Sequence, residues 1–241
     1  MEDGPEGSLR LSMPPKGRGY SDAQIDDYHR LPRRRFRWRP PLRLSLRARA
    51  SSPTPLGTLG FGFWNDPFSL SLGQGGAARR LPASPRAIWF FYASPPNDFT
   101  FSAGLAGHGW RAMTLSGPRV PSLLLLPAAM GVVIFSRLPG VRRPLLRAAL
   151  RSVRASEASL AASLGAWHEY VLEWHACEAI FTVDGQTVLV APHPPPPPLG
   201  FVAWIDNQYA VASPKAGFGF GVLATSESQW LEIRDLSLEE L

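Results

Sequence analysis

Residues 167–190 read WHEYVLEWHACEAIFTVDGQTVLV, and the fold follows from how they alternate. Trp167, Glu169, Val171 and Glu173 fall on one side of an extended chain, and His168, Tyr170, Leu172 and Trp174 on the other. A period of two with large apolar groups on one side predicts a half-buried β-strand. The runs IFTV and TVLV then flank Asp184-Gly185, with Gln186 completing the connection. Asp-Gly between β-branched runs favours a turn whose backbone twist matches that of paired strands, so a hairpin is predicted.

The same signal recurs on both sides of this hairpin. Leu42, Leu44, Leu46, Ala48 and Ala50 alternate with Arg43, Ser45, Arg47 and Arg49, and Phe36 and Trp38 set the same alternation before Pro40-Pro41 breaks it. GFGFWNDPF (60–68) and AIWFFYASPPNDFTF (87–101) read as aromatic strands bounded by Pro and Asn-Asp turns. HPPPPPLG (193–200) is a stiff connector ahead of FVAWID (201–206), GFGFGVLA (217–224) and a closing strand from Trp230 to Leu238. Many short strands separated by turn signals predict an antiparallel sandwich. Residues 1–19 read as a polar tail, and 20–112 with 167–241 as the sandwich. Residues 113–166 read as an α-helical insertion: Arg143, Arg147, Arg151 and Arg154 share one helical face, with Leu145, Leu146, Ala149 and Val153 roughly opposite. Pro144 suits the first turn of that helix, and Ser156 the N-cap of a second helix reaching Leu164.

Composition excludes several classes. With 241 residues, 45% of them hydrophobic and 18% charged, the chain can bury a sizeable core. The single cysteine, Cys177, excludes a disulfide framework and a multi-cysteine metal site. The five histidines lack metal-ligand spacing, and the glycine-rich GFGF has no following helix to cradle a phosphate, so neither metal nor cofactor is expected. The net charge of +6 is uneven, with 20 basic and 2 acidic residues in 30–154 against an acidic remainder. Twenty-three of the 25 basic residues are Arg, and their alternation with apolar residues fits a solvated strand face better than nucleic-acid binding. The acidic start MEDGPEG has no apolar stretch after it, so no secretory signal is read and a cytoplasmic location is expected.

The order of segments resembles that of the concanavalin A-like lectin/glucanase sandwiches, and within them the laminarinase-like branch of glycoside hydrolase family 16. YSDAQI (20–25) is similar to that family's first strand, and RPPLRLSLRARAS with GTLGFGFWNDPF to its next two. WHEYVLEW followed by AIFTVDGQTV resembles its aromatic-His-x-Tyr hairpin, the most specific of these matches, and WLEIRDLSL its closing strand. The resemblance implies a jelly-roll sandwich and a glycan partner. Family 16 hydrolases carry Glu-x-Asp-x-(x)-Glu on one strand of the concave face, with the outer carboxyl groups about 5–5.5 Å apart. The strand that should supply them, AIWFFY (87–92), holds no acid. The family's catalytic residues therefore have no counterparts at those positions, and a non-hydrolytic relative (a pseudoenzyme) is expected.

Candidate residues follow from this reading. Trp64, Trp89, Trp110 and Trp204 are candidates to stack on sugar rings, with Asn65, Asp206 and Asn207 to bind hydroxyls; the alternative for each tryptophan is a place in the core, expected for Trp38, Trp167, Trp174 and Trp230. Asp206 and Asp66 are the candidate displaced carboxylate pair if the chain is instead a hydrolase. A further alternative function uses the insertion: the apolar run 120–135 followed by Arg143, Arg147, Arg151 and Arg154 suits an anionic membrane surface or an apolar ligand.

Overall fold

The computed structural model describes residues 2–3, 7–67, 80–102, 104–121, 140, 144, 148, 151–213 and 217–241. Its strands are β1 (Glu2–Asp3), β2 (Leu9–Met13), β3 (Asp22–Asp26), β4 (Leu42–Ala50), β5 (Thr58–Trp64), β6 (Arg86–Ala93), β7 (Gly109–Ser116), β8 (Arg154–Ser159), β9 (His168–Trp174), β10 (Glu178–Val183), β11 (Gln186–Pro192), β12 (Gly200–Asp206), β13 (Gln208–Ser213), β14 (Gly217–Val222) and β15 (Gln229–Glu240). They form a seven-stranded sheet in the order β1-β2-β15-β4-β9-β10-β11, a six-stranded sheet in the order β3-β12-β5-β6-β7-β8, and a ribbon of β13 and β14. Every pairing between these strands is antiparallel. The molecule is thus an all-β antiparallel sandwich.

The alternation read from the sequence sets which side of each strand is buried. On β4, Leu42, Leu44, Leu46, Ala48 and Ala50 are buried while the arginines between them face outward. On β9, Tyr170, Leu172 and Trp174 enter the core, opposite Leu46, Leu44 and Leu42. From the other sheet come Leu59, Phe61 and Phe63 of β5, Ile88, Phe90 and Tyr92 of β6, and Phe201, Ala203 and Ile205 of β12. Phe61, Phe90, Trp110, Tyr170 and Phe181 interlock at the centre, with ring centroids 5.0–6.1 Å apart in every contacting pair. The hairpin forms as expected: Val183 opposes Gln186, and Asp184 (φ 48°) and Gly185 (φ 77°) make the two-residue turn.

Three expectations are corrected. Residues 1–19 are more than a tail: Leu9–Met13 pair with β15 and bury Leu11 and Met13, because LRLSM alternates like its neighbours. The short helix expected from Ser156 to Leu164 is replaced by β8, whose backbone completes the edge of β7. Neither end of the expected 113–166 helical insertion is helical either, since Met113–Ser116 belong to β7 and Arg154–Ser159 to β8. Arg143, Arg147 and most of the basic segment lie outside the described residues; Pro144, Ala148 and Arg151 have helical backbone, and Arg154 opens β8 opposite Ser116.

Candidate functional site

The outer face of the six-stranded sheet is built by strand parity. Residues that alternate with the core positions of β12, β5 and β6 are Val202, Trp204 and Asp206, then Gly60, Gly62 and Trp64, then Ala87, Trp89 and Phe91. Register brings Trp204 opposite Gly60 and Phe91 beside it, while Trp89 lies opposite Gly62. The glycines leave room for flat rings. A Cβ on Gly60 would stand 2.7 Å from the Trp204 ring and 2.4 Å from the Phe90 carbonyl oxygen. The rings form one connected group: Trp89 is 5.8 Å from Trp64, 5.5 Å from Phe91 and 5.1 Å from Trp204 between centroids. Trp204 is buried, whereas Trp64, Trp89 and Phe91 are half-buried and keep ring surface at the solvent.

Their polar edges are held from behind. Trp204 Nε1–H donates to Thr58 Oγ1 at 3.0 Å, and that hydroxyl donates to Asp206 Oδ1 at 2.9 Å. Trp64 Nε1–H donates to the Tyr28 hydroxyl. The Nε1–H of Trp89 is buried and meets no acceptor. Orientation of the outer two indoles is therefore fixed before any ligand arrives, which lowers the ordering cost of binding. Tyr28 and Phe36, packed with Val202 and Trp204, wall one side.

The opposite side is walled by a loop that one carboxylate organises. Glu157 of β8 accepts from the Thr100 hydroxyl (2.6 Å), the Phe101 N–H (2.8 Å) and the Ser102 N–H (2.6 Å), and pairs with Arg111 at 3.0 Å. Arg111 donates in turn to the Phe99 and Ala106 carbonyls. Burial alone would raise the Glu157 carboxyl, but these donors outweigh it and hold it below the usual carboxylate range. Glu157 is not legible in the sequence as a site residue, because its segment reads as helical there. The capping-type run of Thr100, Phe101 and Ser102 gave no hint of a partner 55–57 positions away.

The remaining sequence candidates separate cleanly. Trp110 faces inward and sits in the core beside Tyr170. Asn65 is fully buried and spends its amide on the Ser84 carbonyl and the Arg86 N–H. Asn207, equally buried, joins the Gly19 and Leu223 carbonyls and the Ser21 N–H. These three are structural and do not line the aromatic face. Asp66, in a left-handed backbone conformation at φ 45°, is paired with Arg80. Asp206 opposes Thr58, at the far end of β5 from Trp64 and Asp66. Six strand steps at ~3.3 Å separate Thr58 from Trp64, about 20 Å, which is too far for either glycosidase geometry. Asp66 and Asp206 are not a catalytic pair.

Asp206 has a different neighbour. It lies directly opposite Asp22 on β3, one row from Trp204 and Gln24. Burial pushes the Asp206 carboxyl up to about 6, helped by the Asp22 charge, against hydrogen bonds from the Gln208 N–H and from Thr58. Asp22 is raised too, chiefly by partial burial. Among the described residues no group of His, Cys, Asp and Glu could hold a metal ion, and no helix is long and apolar enough to cross a membrane.

The chain matches no protein-family model and no curated protein. Among solved structures it is similar to a legume lectin-like domain from Entamoeba histolytica, at 9% identity and a TM-score of 0.48, covering 98% of this chain and 85% of that one. It is also similar to LamAcat from Zobellia galactanivorans, at 11% identity and a TM-score of 0.48, covering 98% and 78%. A third is a glycoside hydrolase family 16 endo-glucanase from Bacteroides ovatus, at 12% identity and a TM-score of 0.44, covering 99% and 84%.

Proposed function

We propose that the chain is a concanavalin A-like sandwich that binds glycan on the outer face of its six-stranded sheet without hydrolysing it. The observation that carries this reading is the connected group of Trp64, Trp89, Phe91 and Trp204, with two indoles locked by hydrogen bonds and three rings partly open to solvent. Rigid aromatic surface bordered by a few polar groups, here Gln24 and Asp206, is what the apolar face and hydroxyl edge of a pyranose require. Non-hydrolytic character is supported by β6. Its outward residues are Ala87, Trp89, Phe91 and Ala93, where the resemblance would place carboxylates. Native electrophoresis through gels of β-glucans and galactans tests the reading, with released reducing ends assayed alongside. Retardation without release is expected, and Trp89→Ala should weaken it about tenfold while far-UV circular dichroism is unchanged. Free migration in every gel overturns the reading.

A second reading is favoured by one observation, the Asp22–Asp206 pair. Directly opposed residues on antiparallel strands have Cβ atoms ~4.5–5.5 Å apart, which lets their carboxyl groups reach the ~5–5.5 Å separation of a retaining pair. An aspartic acid pushed up to about 6 can also hold a proton near neutrality, as a general acid must. Under this reading reducing ends are released, and Asp206→Asn abolishes the release while leaving retardation in place.

A further inference from the structure

A second region stands apart from the aromatic face. At the end of the sandwich where β6 begins and β7 ends, a cavity of about 660 Å³ is lined by Arg86, Arg119 and Arg154 with Ser84, Ser116 and Asn65. Its position is set by register: Arg86 opposes Ser116, and Ser116 opposes Arg154, so the two arginines flank the serine across three neighbouring strands. Strands two apart in a sheet are about 10 Å from one another, a span that two guanidinium groups close easily onto one small ligand. Arg119 follows β7 by three residues and brings the third positive charge.

The lining is unbalanced. Among the described residues no acidic one lines the cavity, and none of these three arginines makes an ion pair. Arg86 is half-buried and gives one N–H to the Pro196 carbonyl at 2.9 Å, which makes the polyproline connector one wall. Burial, and then the neighbouring Arg119 charge, lower the affinity of Arg86 for its proton, the direction expected of a cation held close to another cation without compensation. The Ser84 hydroxyl is buried without a hydrogen-bond partner. Asn65 cannot compete for a ligand, since its amide already fixes the Ser84 carbonyl and the Arg86 N–H, and so it acts as the floor that holds both residues in place. Three like charges, one of them half-buried, and an unsatisfied buried hydroxyl around one cavity are unpaired in the empty protein and would be paired by an anion.

We propose that this cavity is a binding site for a tetrahedral oxyanion, the phosphate or sulfate group of a small ligand, gripped by Arg86, Arg119 and Arg154. Arg119 and Arg154 are exposed, so the full chain carrying Arg119→Ser or Arg154→Ser keeps its core. Titration calorimetry with inorganic phosphate and with inorganic sulfate, at an ionic strength matched with chloride, gives saturable binding in the wild type. Each substitution weakens it about tenfold. The unliganded variants melt no lower than the wild type, because each removes one of three like charges. Comparing glucose 6-phosphate with glucose 6-sulfate then assigns the source of the anion. No saturable binding, or binding that survives both substitutions, overturns the proposal. Glycan retention by the aromatic face is unchanged in these variants, so the two sites fail or stand separately.

Discussion

Asp206 couples the aromatic face to pH. Its carboxyl is pushed up to about 6 by burial, from an ordinary value of 3.8 in the unfolded chain. The protonated form is thus the better folded one: the contribution is complete below about pH 4 and is lost as pH rises through about 6. Asp206→Asn, which keeps the shape and cannot ionise, should remove a pH dependence on the order of 2 kcal/mol across that window. Urea midpoints of wild type and variant at pH 4 and pH 7 measure it; parallel profiles would show that Asp206 is ordinarily solvated. Trp110 and Trp89 make a related point about legibility. Both tryptophans stand in apolar strands, and nothing in their own neighbourhoods separates core from surface. On β7 the six residues from Arg111 to Ser116 are buried on both sides, so alternation offers no contrast. Only the pairing of Trp110 with Tyr92 assigns its side.

At the level of the strand, β5 and β15 carry the most information. Gly62, at φ 147°, allows β6 to approach so closely that a Cβ would stand 2.4 Å from the Ile88 carbonyl oxygen and 2.6 Å from Trp89 Cα. Both obstacles are backbone, so Gly62→Ala should cost about 2 kcal/mol or more and displace Trp89; a denaturation midpoint and glycan retention would both report it. On β15, Leu231 and Ile233 face the core, which turns Trp230, Glu232 and Arg234 outward. Trp230 and Trp167, expected in the core, instead stack with Arg10, Arg49 and Arg234 at 4.4–5.4 Å on the outer face of the seven-stranded sheet. Glu232 lies fully buried beneath them, bonded to the Ser8 hydroxyl at 2.6 Å and to Arg49 at 2.8 Å. Burial would raise its carboxyl, but Ser8, Arg49 and Arg10 outweigh burial and lower it. Its contribution is therefore present above the ordinary carboxylate range and lost on acidification. Glu232→Ala should destabilise the fold by about 2–3 kcal/mol at pH 7, read from thermal or urea unfolding.

For the whole molecule, stability should be graded from the centre outward. β4 and β9 lie inside one sheet, β5 and β6 inside the other, and all four feed the central core. Among the described residues the β13–β14 ribbon joins neither sheet, being held to the rest of the chain by the Asp98–Val211 bridge and the Ala210 N–H to Asn97 bond, and it leaves Phe220 73% exposed. A two-stranded ribbon is marginal alone, so hydrogen exchange should be fastest in 208–213 and 217–222 and slowest in the four central strands. Equal protection of the ribbon and of β4 would mean that the ribbon is covered in solution.

By itself the sequence determined the class of fold and most strand interiors, because a stretch such as Leu42–Ala50 alternates so strictly that one register alone buries its apolar side. The Asp-Gly turn was legible for the same local reason, as was the absence of acids along β6. Tertiary structure decided what local patterns cannot hold. It separated Asp66 from Asp206 by the length of a strand, set Asp22 opposite Asp206, and drew Glu157 to a distant loop. It also gathered Arg86, Arg119 and Arg154, spread over 69 positions, around one cavity. Alternation specifies which side of a strand a residue takes; which strands become neighbours, and so which charges meet, is fixed by the pairing of the sheets and the closing of the core between them.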